Sequence, residues 1–214
     1  MTPSIRLALT LTLAALGAWP GTAPGQPQGQ LTYAMHVTIA PAWFDPADNT
    51  GIATPFMVQE AVHDALVKTM PSNAMAPSLA ESWTESGDGL RYEFVLRRGV
   101  TFHNGEPVTA EDVKFSFDRY RGAAARLLKD KVKAVETPAP NRVRFVLKEP
   151  WPDFLTFYAT PATGAAWIVP KKYVGDVGEV GDDGFKWQPI GAGPYRFVSY
   201  QPGVEIVLEA YDKY

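Results

Sequence analysis

The sequence predicts an α/β chain with mixed sheets, and three observations carry that prediction. Arg91–Leu96 and Arg142–Leu147 alternate apolar and polar residues with period two, as strands with one buried face do. Thr54-Pro55 and Thr109-Ala-Glu-Asp112 carry helix-start chemistry ahead of apolar residues at helical spacing. Gly, Pro and Asn gather at the joints between these segments, where turns need them.

In chain order, Leu31–Met35 alternates Leu31, Tyr33 and Met35 and reads as a first strand. His36–Gly51 is a loop punctuated by Pro41 and by Asp45-Pro46. Thr54 then serves as a helix N-cap with Pro55 in the first turn, where its missing amide costs nothing. Val58, Ala61, Val62, Ala65 and Leu66 give that helix one apolar face. The stretch Ala76–Tyr120 is expected to hold a short helix, a turn over Thr84–Gly89, the strand Arg91–Leu96, a second turn at Asn104-Gly105 and a capped helix. Tyr92, Phe94 and Leu96 lie on the buried face of the strand. In the capping box, Asp112 stands at the third helical position, where Glu or Gln is usual. Val113, Phe117 and Tyr120 follow at helical spacing.

Val132–Glu136 and Arg142–Leu147 read as antiparallel strands around a Thr137–Asn141 loop, with Val143, Phe145 and Leu147 facing inward. Trp151–Ala159 reads as a short helix and Gly175–Lys186 as a Gly/Asp-rich loop. Tyr195–Tyr200 and Glu205–Glu209 read as strands around Pro202-Gly203.

The chain has 214 residues, 46% hydrophobic and 20% charged, enough for one core or two small ones. A net charge of -3 leaves no basic footprint for nucleic acid. The absence of Cys excludes disulfides, thiolate metal sites, a cysteine nucleophile and a lipid-modified N-terminal Cys. Residues 1–25 read as an export signal. Arg6 is their one charge, Leu7–Leu16 is apolar but too short to span a bilayer, and Ala18, Ala23 and Gly25 are small residues suited to cleavage. A buried helix is the alternative, and the Pro/Gly/Gln linker that follows weighs against it. The chain is therefore expected to be exported.

Catalytic chemistry finds no support. His36, His63 and His103 fit no metal-ligand spacing, and no G-x-S-x-G occurs. Glu111-Asp112 suits a helix start and Asp182-Asp183 a solvated loop. Gly191-Ala-Gly193-Pro194 lacks the Lys-Ser/Thr of a phosphate loop and leads into a strand. The expectation is therefore no catalytic residue, no cofactor and no metal.

The stretch built on Pro77, Leu79–Trp83, Leu96-Arg97, Gly99-Val100, Phe102, Asn104-Gly105, Pro107 and Thr109–Val113 resembles the family 5 extracellular solute-binding proteins of ABC importers, the peptide- and nickel-binding group. Phe44-Asp45-Pro46, Ile168–Tyr173 and Pro189–Tyr195 match further turns of that family, so the resemblance runs from Leu31 to Tyr214. It implies a periplasmic binding protein-like fold, a bilobed clamp of the type II kind. On it, 26–53 and 188–214 belong to one lobe and 54–187 is a smaller domain inserted into it. Relatives are more than twice as long, so the resemblance implies a truncated chain lacking the opposite lobe, with an open sheet edge and an exposed apolar patch.

It also implies a role in the periplasm: binding a di- or oligopeptide, as a monomer, and handing it to an inner-membrane ABC permease. The ligand would meet backbone groups of Thr50, Gly51 and Ile52, and the uncharged segment containing Thr163 and Trp167. Trp167 reads equally well as core. This chain alone is expected to bind peptide weakly or not at all. Nickel chelates, opines and oligosaccharides are alternative ligands, and a non-binding remnant or a secreted hydrolase are alternative functions.

Overall fold

In the computed structural model, residues 29–34, 44–48, 56–159, 163–177 and 183–214 are described. Contacts divide the chain into Met1–His36 and Val37–Tyr214. In the first unit, residues 29–34 carry neither helix nor strand, and Leu31 and Tyr33 are exposed. The strand expected at Leu31–Met35 is thus not formed over its described part, and Met35 lies outside the described residues. Alternation alone does not make a strand. Its backbone groups need a neighbour, and no described strand pairs with it.

Among the described residues of the second unit, the first named elements are a one-turn 3₁₀ helix at Pro46–Asp48 and α1 at Phe56–Val62. Thr54 and Pro55 lie outside the described residues. α1 ends before Ala65 and Leu66, but both are buried with Val58 and Val62, so the apolar face continues past the helix. A hairpin follows, β1 (Val67–Met70) with β2 (Asn73–Pro77), which the sequence pattern does not announce.

The centre is a four-stranded antiparallel sheet in the order β3 (Ala80–Glu85), β4 (Arg91–Leu96), β6 (Arg142–Leu147), β5 (Val132–Ala139). β4 and β6 show the expected alternation: Tyr92, Phe94, Leu96, Val143, Phe145 and Leu147 are all buried. β3 replaces the short helix expected before Thr84. Its Leu-Ala-Glu composition favours helix locally, but pairing along β4 satisfies its backbone and buries Ala80, and tertiary context prevails. Gly89, at φ 67, closes the β3–β4 turn.

α2 (Ala110–Arg119) crosses the buried face of this sheet. Both halves of its capping box are formed: the Thr109 amide donates to Asp112 Oδ2 at 2.8 Å, and the Asp112 amide to Thr109 Oγ1 at 3.4 Å. The aromatic core centres on Phe145, with Tyr158 at 4.4 Å, Phe154 at 5.3 Å, Phe117 at 5.6 Å and Phe94 at 5.9 Å between ring centroids. Tyr158 sits on a π-helical turn at Leu155–Ala159, where a short helix was expected.

α3 (Ala125–Lys131) leads into β5, which runs on to Ala139 and leaves only a tight turn of the expected Thr137–Asn141 loop. The Gly/Asp-rich region is not all loop either: α4 (Lys171–Val177) and α5 (Asp183–Trp187) occupy its ends. Last come β7 (Tyr195–Gln201) and β8 (Glu205–Ala210), a two-stranded hairpin closed at Gly203 with φ 75. Among the described residues no third strand joins it, and Tyr195, Val198 and Val204 are exposed. No helix of the described residues is long and apolar enough to cross a membrane.

Candidate functional site

Two segments singled out from the sequence meet at the last turn of α2. The first is the Phe44-Asp45-Pro46 turn. Asp45 is completely buried, accepts from the Ala47 amide at 2.9 Å, and receives both arms of the Arg119 guanidinium at 2.6 and 2.5 Å. A forked pair of this kind fixes orientation as well as distance. Phe185 of α5 stacks beneath the same guanidinium, 5.6 Å from its carbon to the ring centroid. The turn is held again downstream: the Arg121 amide donates to the Ala47 carbonyl at 2.8 Å, and Arg121 and Lys186 pair with Asp48. Burial works to raise the Asp48 carboxyl, but the hydrogen bonds from Arg121 and Lys186 outweigh it and hold it below the ordinary value.

The second segment runs from Thr163 to Val169. Tyr120, the C-cap of α2, donates its hydroxyl to the Thr163 carbonyl at 2.7 Å, and the Thr163 hydroxyl donates to the Phe157 carbonyl at 2.6 Å. The Ile168 amide reaches the Asp64 carbonyl at 3.2 Å, and the Val169 amide reaches Ser116 Oγ at 3.0 Å. Trp167 is 2% exposed and packs with Ala65 and Ala166. Its indole therefore belongs to the wall itself in this conformation.

Between the two segments lies a crevice lined by Pro46, Ala47, Arg119, Tyr120, Gly164 and Trp167, about 10 Å³ in volume and so no larger than one water. Thr163 and Trp167 are thus brought beside the Asp-Pro turn. Thr50, Gly51 and Ile52 lie outside the described residues. A larger open groove of about 520 Å³ lies elsewhere, between Tyr173, Trp187, Phe197 and Tyr200. Phe197–Tyr200 of β7 form one side of it, and neither Thr163 nor Trp167 lines it.

Sequence reasoning missed Arg119 and Ser116. The signal was present in α2: Asp112, Ser116 and Arg119 fall at i, i+4 and i+7, a polar stripe beside the apolar face of Val113, Phe117 and Tyr120. All three are buried, and each bonds to another segment.

His63 and His103 hold chain segments together, and His36 lies outside the described residues. His63 is buried against Phe185, and burial pushes its pKa down to about 3, only partly offset by its hydrogen bond with the Phe44 carbonyl. His103 Nδ1 accepts from the Gly191 amide at 3.3 Å, which leaves Nε2 to donate to the Gly193 carbonyl at 3.0 Å. The Gly191–Gly193 loop lies against the end of α1, where the Gly193 amide bonds to the Val62 carbonyl at 2.9 Å. A Cβ at Gly191 would fall 2.0 Å from that oxygen, so glycine is needed there for close approach. No grouping of three or more His, Asp or Glu suited to a metal ion occurs among the described residues.

Residues 74–214 match the sequence profile of the bacterial extracellular solute-binding proteins, family 5 middle region. The chain belongs to that family. Di/tripeptide-binding protein 2 of Pseudomonas aeruginosa is 33% identical over 237 residues, covering 100% of this chain and 43% of that protein. The Escherichia coli dipeptide-binding protein is 30% identical over 82% of this chain and 36% of its own length. Among solved structures, the Helicobacter pylori periplasmic binding protein DppA, in complex with the peptide STSA, superposes with a TM-score of 0.69 at 27% identity, over 80% of this chain and 37% of that one. The Agrobacterium tumefaciens protein AgaA, in complex with agropinic acid, gives 0.70 at 28% identity, over 80% of this chain and 34% of that one. The family fold is thus the periplasmic binding protein type, and this chain spans about two-fifths of the length of the curated relatives it matches.

Proposed function

We propose that this chain forms one wall of the peptide-binding site of a periplasmic solute-binding protein, which delivers di- or oligopeptides to an inner-membrane ABC permease. The observation that carries the reading is the convergence of the Asp-Pro turn and the Thr163–Trp167 segment on one crevice. The one charged residue lining that crevice is Arg119 of α2, which Asp45 engages. Such a wall offers shape and backbone groups to an extended peptide, as an added strand would use them. The names of the relatives favour short peptides over opines or metal chelates. Residues 26–53 and 188–214 are assigned to one lobe and 54–187 to the domain inserted in it, with closure by rotation about a hinge. The protein acts by recognition, as a monomer, without cofactor or metal.

The test is a nuclear magnetic resonance titration of the ¹⁵N-labelled chain with a defined set of di- and tripeptides. The expected result is saturable shifts at Ala47, Asp48 and Gly164–Trp167, with affinity on the order of millimolar for a single wall. Shifts absent at the solubility limit of every peptide would overturn the reading.

A further inference from the structure

About two turns of α2 hold both walls of the crevice. Moving along the helix, Asp112 Oδ1 accepts from the Lys171 amide at 2.9 Å, Ser116 Oγ accepts from the Val169 amide at 3.0 Å, and Arg119 clamps Asp45. Tyr120, one residue on, donates to the Thr163 carbonyl and accepts from the Ala124 amide at 3.2 Å. The stripe residues are spaced at about 5 Å intervals along the axis by helix geometry alone. The helix is fixed in turn by its capping box and by Val113 and Phe117 in the sheet core. Both walls are thus bonded to the same helix, and the spacing of their partners along it sets how far apart those bonds lie.

We propose that the polar stripe of α2 is a spacer for the ligand site, with Arg119 and Tyr120 as the positioning residues that fix the distance between the Asp-Pro wall and the Thr163–Val169 wall. Neither is assigned a bond to the ligand. Arg119 commits its fork to Asp45, and Tyr120 has its hydroxyl engaged as both donor and acceptor. They act through the segments they hold, so a short peptide lying across the two walls meets backbone groups at a fixed spacing. The proposal rests on the peptide-site reading above, and its test separates the two.

The full chain is compared with Tyr120→Phe, which removes only the hydroxyl, and with Arg119→Lys, which keeps the charge and loses the fork. Two readouts are taken: amide hydrogen exchange at Ala165 and Ile168 without peptide, and the peptide titration followed at Ala47 and Trp167. In Tyr120→Phe, exchange at both amides is expected to rise at least fivefold and the apparent Kd about tenfold, with the thermal midpoint within a few degrees of the parent. Arg119→Lys is expected to raise the Kd similarly, with its exchange effect at Ala47 and Asp48. Parent-like exchange and parent-like Kd in both variants would overturn the spacer role while leaving the binding reading intact. Faster exchange in the variants than in the parent, with no peptide bound by either, would overturn the peptide site while leaving the hold of α2 on both segments standing.

Discussion

The four-stranded sheet with α2 and the β7–β8 hairpin are both rich in apolar residues, yet one is closed and the other is not. Phe94, Phe145, Phe154 and Tyr158 are completely buried between sheet and helix. In the hairpin, Tyr195, Val198 and Val204 remain 43%, 51% and 69% exposed, and only one strand neighbour is present for each strand among the described residues. The hairpin is anchored at its base instead: the Tyr211 hydroxyl donates to the Phe102 carbonyl at 3.0 Å and lies 2.8 Å from Thr101 Oγ1, while Phe44 packs on Phe197 and Tyr200. Alternating sequence dictates a strand; burial on a face depends on what else is there to cover it.

The sharpest break of this comparison is Phe145→Ala. It opens a cavity at the centre of the aromatic cluster and should cost about 3–5 kcal/mol in urea unfolding. A comparable loss, about 3–5 kcal/mol, is expected for Arg119→Met, because Asp45 would be left as an unpaired buried charge. Restoring neutrality with Asp45→Asn in the same chain should recover part of it.

Acid sharpens the comparison next. Burial holds His63 and His103 below the ordinary histidine value, whereas the unfolded chain takes up these protons from about pH 6.5 downward. The neutral histidines therefore contribute stability that is fully present above pH 6.5. It is lost as pH falls, at about 1.4 kcal/mol per pH unit for each one still neutral in the fold. For His63 that loss continues to about pH 3. Stability measured between pH 6.5 and 5 should fall less steeply in His63→Asn; an unchanged slope would remove His63 from the account. The smallest effect belongs to the hairpin surface, where Val198→Thr should move stability by no more than about 0.5 kcal/mol.

Much of this fold was legible in the sequence, because its signals were local. Tyr92, Phe94 and Leu96 declare their face by alternation, and Thr109 with Asp112 declares a helix start within four residues. β1 and β2 show no such pattern, since Val67 is the only buried residue in either strand, and β3 is a strand by virtue of β4. The site was legible as segments, not as a construction. Asp45 and Arg119 are 74 positions apart, and an ion pair between such distant residues leaves no local mark. Trp167 could not be sorted from sequence, because an indole in a wall and an indole on a cleft surface look alike until Ala65 is seen against it.

The most direct measurement is paramagnetic broadening from a dipeptide carrying a nitroxide at its C-terminus, mapped over the backbone amides of the whole chain. The account predicts broadening centred on Ala47, Asp48 and Gly164–Trp167, and amides of β7 and β8 no more affected than by free nitroxide. Broadening centred on Trp187, Phe197 and Tyr200 would contradict it and move the ligand to the open groove on the hairpin.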